Sequence, residues 1–104
     1  MSEPVVRVSQ GFFAPNLAQS VAAKLDEGRA TLEPALRALR GLLHYYVAIN
    51  TVGDSMVNIS VWENFEAASQ MDTLKEMLAL RDAFVALGVK FQPIRNYGGL
   101  WSLP

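Results

Sequence analysis

Hydrophobic and polar positions mix with a near two-residue period from Val5 to Phe13 (VVRVSQGFF), where β-branched and aromatic residues enclose Arg7, Ser9 and Gln10. That pattern predicts a strand with two unlike faces. Beyond it the period lengthens. Pro15 suits the first turn of a helix, and Leu17, Val21 and Leu25 recur every four residues before Gly28, which reads as a C-terminal stop. Thr31 reads as the cap of a second helical piece, with Glu33 and Pro34 in its first turn and Leu32, Leu36 and Leu39 on its apolar face up to Gly41. Two strand-like runs follow, Leu42 to Thr51 and Met56 to Glu63. The turn-rich Val52-Gly53-Asp54-Ser55 between them predicts an antiparallel hairpin. Asn64 caps a long helix running to Gly88, with Glu66 in its first turn and a fresh start near Asp72. Val89 to Leu103 supplies a fourth strand, in which Pro93 and Gly98-Gly99 imply a bend, a bulge or an edge.

The order strand, helix, strand, strand, helix, strand is the split βαββαβ plan of α+β, ferredoxin-like domains with a four-stranded antiparallel sheet. One helical layer covers one face of such a sheet, and the apolar residues of the other face call for a partner, most simply a second copy in a homodimer.

Within the hairpin, alternation puts Val57, Ile59 and Val61 on one face of the third strand and Met56, Asn58, Ser60 and Trp62 on the other. In the second strand Leu43, Tyr45, Val47 and Ile49 oppose His44, Tyr46, Ala48 and Asn50. Matching apolar to apolar pairs residues of equal parity, which predicts an odd loop or a bulge at Val52 to Ser55. His44, Tyr46, Asn50, Asn58, Ser60 and Trp62 then share one surface. Such hydrogen-bonding groups suit the wall of a cavity, although neighbouring backbone or buried water could equally satisfy them. On the second helix Leu74, Met77, Leu78, Phe84 and Val85 fall in one arc around Arg81. That guanidinium either snorkels or pairs structurally, or meets an anionic ligand.

Composition narrows the functional classes. The 104 residues are 51% hydrophobic and carry a net charge of −1, which sets aside disorder and any electrostatic footprint for nucleic acid. That length accommodates one domain, residues 1–104. Without cysteine there are no disulfides, thiolate metal sites or cysteine nucleophiles, and one histidine, His44, cannot build an ordinary zinc site, so no metal or cofactor is expected. Apolar runs stop well short of the roughly 20 residues a membrane helix needs, and Met1-Ser2-Glu3-Pro4 has no signal-peptide character. A cytoplasmic protein with no membrane or nucleic-acid partner is expected.

The stretches Leu39-Arg40-Gly41-Leu42 and Val61-Trp62-Glu63-Asn64-Phe65-Glu66-Ala67-Ala68 resemble those of the antibiotic biosynthesis monooxygenase family of small dimeric α+β barrels, over nearly the whole chain from Pro4 to Leu103. The resemblance implies that two sheets pack face to face through the Val57, Ile59, Val61 face, and that each subunit holds a small-molecule cavity between its sheet and helices. It also implies cofactor-independent oxygenation of a phenolic or quinol-type aromatic, in which the substrate anion passes an electron to oxygen. The asparagine four residues before the tryptophan of the third strand matches Asn58 and Trp62, implied donors to oxygen-centred charge. Ser9 stands where the family often carries an asparagine. The helix tyrosine and arginine of its polyketide enzymes fall on Ala68 and Asp82, so Arg81 is a neighbour and not a match. The histidine ligand and the tryptophan of the haem-degrading branch are Arg81 and Met71 here, which disfavours haem degradation.

The candidate catalytic residues are therefore Asn58, Trp62 and His44, the last as a general base if it shares their face and otherwise a hydrogen-bonded strand-end residue. Ser9, Tyr46, Ser60 and Arg81 are the candidate substrate contacts. The alternative is a non-catalytic dimeric domain that binds a small hydrophobic molecule.

Overall fold

The computed structural model describes residues 4–104; the reading of the start at Met1 to Glu3 lies outside them. The elements run β1 (Val5–Phe12), α1 (Ala18–Arg37), β2 (Leu42–Ile49), β3 (Ser55–Trp62), α2 (Phe65–Ala68), α3 (Lys75–Leu87), β4 (Lys90–Phe91) and β5 (Arg95–Gly98). The strands form one antiparallel sheet in the order β2-β3-β1-β4, with β5 further along the same edge of β1. This is the α+β, ferredoxin-like arrangement. The expected fourth strand is interrupted: Gln92 still donates its backbone N–H to the Gln10 carbonyl at 2.8 Å, but Pro93 has no N–H to give, and pairing resumes only at Arg95.

The helices depart from expectation at two places. Residues 18–37 form one helix, and Gly28 lies inside it. Val21, Leu25, Gly28, Leu32 and Leu36 make one continuous stripe at spacings of 4, 3, 4 and 4, so the two short pieces are halves of the same buried face. Gly28 is the notch in that stripe: a Cβ there would stand 2.8 Å from Leu80 Cδ1 of α3. The second helix breaks as its fresh start near Asp72 suggested, into α2, a 3₁₀ turn over Ser69–Asp72, and α3. Asn64 caps α2 by accepting the Ala67 N–H at 2.8 Å, and Gly88 ends α3 in the left-handed region at φ 111°. On α3 the inward residues are Met77, Leu80 and Phe84, while Leu78, Arg81 and Val85 are exposed, so the arc centred on Arg81 is displaced by about one residue.

The hairpin register also differs from the expected one. Tyr45 faces Ser60, Val47 faces Asn58 and Ile49 faces Met56, so paired residues have opposite parity. The loop Thr51–Asp54 is even in length, closed by Asn50 donating to the Ser55 carbonyl at 2.8 Å, with the Asn50 side chain accepting the Val52 N–H. The bulge sits at the other end, between Leu42 and His44. His44 and Tyr46 consequently share the outer face with Val61 and Ile59, and Tyr45 and Val47 turn toward the helices.

Buried apolar residues gather in two clusters under the helices. One holds Leu32, Leu36, Trp62, Ala67, Ala68 and Met71; the other holds Phe13, Val21, Met56, Phe84 and Val89. Leu80 packs against both. The sheet rows between the two clusters define the site.

Candidate functional site

The register aligns two successive rows on the covered face. Tyr45, Ser60 and Arg7 lie side by side across β2, β3 and β1, and Val47, Asn58 and Ser9 form the next row. Flanking rows are apolar: Leu42, Trp62 and Val5 on one side, Ile49, Met56 and Gly11 on the other. The sheet therefore carries a polar band two residues wide between two greasy ends. Polar side chains cannot enter an apolar core without partners: Ser60 has one in Trp62, and over the rest of the band the helices do not close. A cavity of about 1080 Å³ opens instead, bounded by β2, α1 and α3, with Arg7, Ser9, Tyr45 and Asn58 on its floor and Leu25, Leu36, Met77 and Phe84 among its apolar walls. That size suits a fused-ring aromatic.

Asn58, Tyr45 and Arg7 of the band are each held by a side-chain partner. Asn58 donates Nδ2 to the Tyr45 hydroxyl oxygen and lies 4.0 Å from Met77 Sδ. Burial pushes the Tyr45 phenol up to about 12 against a partial opposing effect of the Asn58 hydrogen bond, so Tyr45 keeps its proton and remains a donor at neutral pH. Arg7 reaches across the floor to Asp72, Nη1 to Oδ1 at 2.9 Å. At the mouth, Glu33 of α1 accepts from Arg37 at 3.0 Å and from Arg29 at 3.3 Å, which holds its carboxyl below the usual range.

The expected site residues separate into three groups. Asn58 and Ser9 share the floor, and Arg81 lines the cavity from α3 with its guanidinium 5.1 Å from the Phe91 ring centroid. Trp62 and Ser60 are on the covered face but inside the core: Trp62 is 0% exposed, and its indole N–H donates to Ser60 Oγ at 2.8 Å. Neither is among the cavity-lining residues. His44 borders the chamber at the β2 edge, yet its pairing partner is Val61, and its ring stacks on Tyr46 at 6.2 Å on the outer face. The condition for His44 and Tyr46 to face Asn58 is thus not met.

Sequence reasoning passed over Tyr45 and Arg7. The wrong hairpin parity hid Tyr45 among the outer apolar residues, while the doubled Leu42-Leu43 at the start of the strand is where the register is reset. Arg7 was visible as a charge within a strand whose other inward positions are Val5, Ser9 and Gly11. Among the described residues no group of three or more histidine, cysteine, aspartate or glutamate side chains could hold a metal ion, and no helix is long and apolar enough to cross a membrane.

No protein-family model and no curated protein matches the sequence. Solved structures do. The chain is similar to SnoaB, a cofactor-independent oxygenase from Streptomyces nogalater, at 20% identity over 99% of both chains with a TM-score of 0.68. It is similar to a Deinococcus radiodurans protein assigned to the antibiotic biosynthesis monooxygenases, at 20% identity over 96% of both chains and a TM-score of 0.73. The monooxygenase ActVA-Orf6 of Streptomyces coelicolor, in complex with nanaomycin D, aligns over 99% of this chain and 92% of its own at 16% identity and a TM-score of 0.72. The fold is thus the one these oxygenases share.

Proposed function

We propose that the chamber carries out cofactor-independent monooxygenation of a small phenolic or quinol-type aromatic. The observation that carries this reading is the polar band: donors from Asn58, Tyr45, Ser9 and Arg7 grouped on the floor of an otherwise apolar cavity. An aromatic ring fills the apolar walls and its oxygen substituents meet the floor. The shared fold with SnoaB and ActVA-Orf6 supports the same reading.

In this reading the phenol loses its proton to solvent at the open mouth, on whose rim His44 stands. The resulting anion passes one electron to dioxygen. The radical pair joins at a ring carbon as a peroxide anion, which takes back a proton to become the hydroperoxide and then loses water. One oxygen atom stays on the ring as a carbonyl, and the other departs as water with two hydrogens from the substrate. The contribution of the protein is electrostatic: Asn58 donates to Tyr45, and the Tyr45 O–H and Ser9 O–H donate to the oxygen-centred charge that develops. Trp62 supports this floor from behind through Ser60. Arg81 stands at the wall as a cationic contact.

The outer face of the sheet is the proposed homodimer surface. Val6, Val8, Val57, Ile59, Tyr46 and Tyr97 lie on it, and Tyr46 and Tyr97 are more than half exposed. An apolar sheet face of this kind is covered most economically by an identical one.

Oxygen uptake with a panel of dihydroxynaphthalenes in EDTA tests the proposal. Consumption above the uncatalysed rate, lost in Asn58→Ala, supports oxygenation. Binding of the same compounds without oxygen consumption instead assigns the chamber to a non-catalytic carrier of small hydrophobic molecules.

A further inference from the structure

Arg7 has no counterpart in the reading above beyond its presence on the floor. Its residue exposure is 7% and it lies within a strand, where a guanidinium is costly to bury without full pairing. Its ion pair with Asp72 is lopsided. The Arg7 side chain is 8% exposed, whereas that of its partner Asp72 is 60% exposed, so the carboxylate is largely hydrated and the guanidinium is not. A guanidinium carries five N–H donors, and among the described residues only Nη1 is engaged. No sealed side-chain nitrogen lacks a partner among the described residues. Among the described residues Nε and Nη2 make no hydrogen bond, and Arg7 is one of the residues that line the chamber.

From this geometry we infer that Arg7 is the anion-reading residue of the chamber, and that the molecule bound there is an aromatic carrying an ionised oxygen, carboxylate or phenolate, set against Nε and Nη2. A planar fork with two free donors matches a two-oxygen or deprotonated-oxygen acceptor better than any neutral substituent. Ser9, the next inward residue of β1, and Asn58 opposite it complete a floor that fixes the orientation of the ring. Asp72 is the competing anion: by neutralising one edge of the guanidinium it limits how strongly the other edge holds a ligand. The inference rests on the reading of the chamber as an aromatic site, but not on oxygen chemistry.

The test is a binding titration under argon with two probes of equal shape, 2-naphthoate and 2-naphthamide, followed by calorimetry. The wild-type protein is expected to bind the anion about tenfold or more tightly than the amide. Arg7→Gln is expected to erase that preference. Asp72→Asn, a change at a largely exposed side chain, is expected to tighten 2-naphthoate by a few-fold and to leave 2-naphthamide unchanged. Equal affinities in the wild-type protein, no binding of either probe, or a preference unmoved by Asp72→Asn would overturn the inference, whether or not Arg7→Gln folds. A protein that prefers 2-naphthoate in this way but consumes no oxygen with any quinol would retain the anion site and lose the oxygenase reading.

Discussion

Asn58 and Tyr45 are joined across the β2–β3 ladder, the asparagine amide donating to the phenol oxygen. They are not directly opposite: Tyr45 faces Ser60, and Asn58 faces Val47. The bond is therefore a diagonal one, of the kind long side chains make between adjacent rows of one face. It leaves the Tyr45 proton free to point into the chamber and polarises it through the amide. If the two act as one unit, their removal is not additive. Asn58→Ala and Tyr45→Phe are each expected to lower kcat for a dihydroxynaphthalene by about 10²-fold, with the double variant hardly worse than either single one. Losses that multiply would show two independent roles.

Alkaline pH gives a second test of the same pair. The phenol of Tyr45 moves from 10.0 to about 12 because burial opposes its ionisation. Below about pH 10 the folded and unfolded chains hold that proton alike. Between about 10 and about 12 the unfolded chain releases it first, so Tyr45 makes stability fall as pH rises through this window. Chemical denaturation at pH 9 and pH 11 is expected to show that decline in the wild-type protein, and a smaller one in Tyr45→Phe. An identical decline in both would place Tyr45 in contact with water.

Trp62 separates stability from chemistry. With its indole buried and bonded to Ser60, Ser60→Ala leaves an unpartnered N–H in the core, a loss of about 1–3 kcal/mol. Trp62→Phe removes the N–H together with part of the packing against Leu32, Leu36 and Met71, and is expected to cost about 2–4 kcal/mol. Urea denaturation measures both. Because neither residue lines the cavity, the affinity for a naphthol is expected to survive in whatever fraction stays folded. A selective loss of affinity in a stable Trp62→Phe protein would return Trp62 to the cavity wall.

How far the sequence disclosed this arrangement can be judged from β3. Its two unlike faces, its hairpin with β2 and its place in a ferredoxin-like order follow from alternation and turn residues alone. The pairing of its neighbour does not, because strand register depends on where a bulge is absorbed, and a slip of one residue exchanges faces. His44 and Tyr46 were thereby read onto the inner face that Tyr45 and Val47 occupy. Gly28 shows a related limit: glycine signals both a helix stop and a close helix crossing, and only Leu80 of a distant helix distinguishes them. Arg7 is a third case. Its burial is decided by the gap between two apolar clusters, which no local pattern encodes.

The outer face makes a quantitative demand on assembly. Ile59 lies opposite both Val8 and Tyr46 at its centre. Ile59→Lys introduces a charge that a buried sheet-to-sheet contact cannot hydrate. Light scattering is expected to show a two-subunit mass for the wild-type protein at micromolar concentration and a one-subunit mass for Ile59→Lys, with the chamber of each subunit intact. A wild-type monomer would contradict the homodimer.

The central claim is that the polar band between the two core clusters, and not the outer valine face, is where a small aromatic rests. An amide chemical-shift titration of the labelled protein with 2-naphthol tests this most directly. The account predicts saturable shifts concentrated at Arg7, Ser9, Tyr45 and Asn58 and on the α3 segment around Met77 to Arg81, with Val57, Ile59 and Val61 shifting less. Shifts centred on Val8, Ile59 and Tyr46, with the floor residues unmoved, would contradict it.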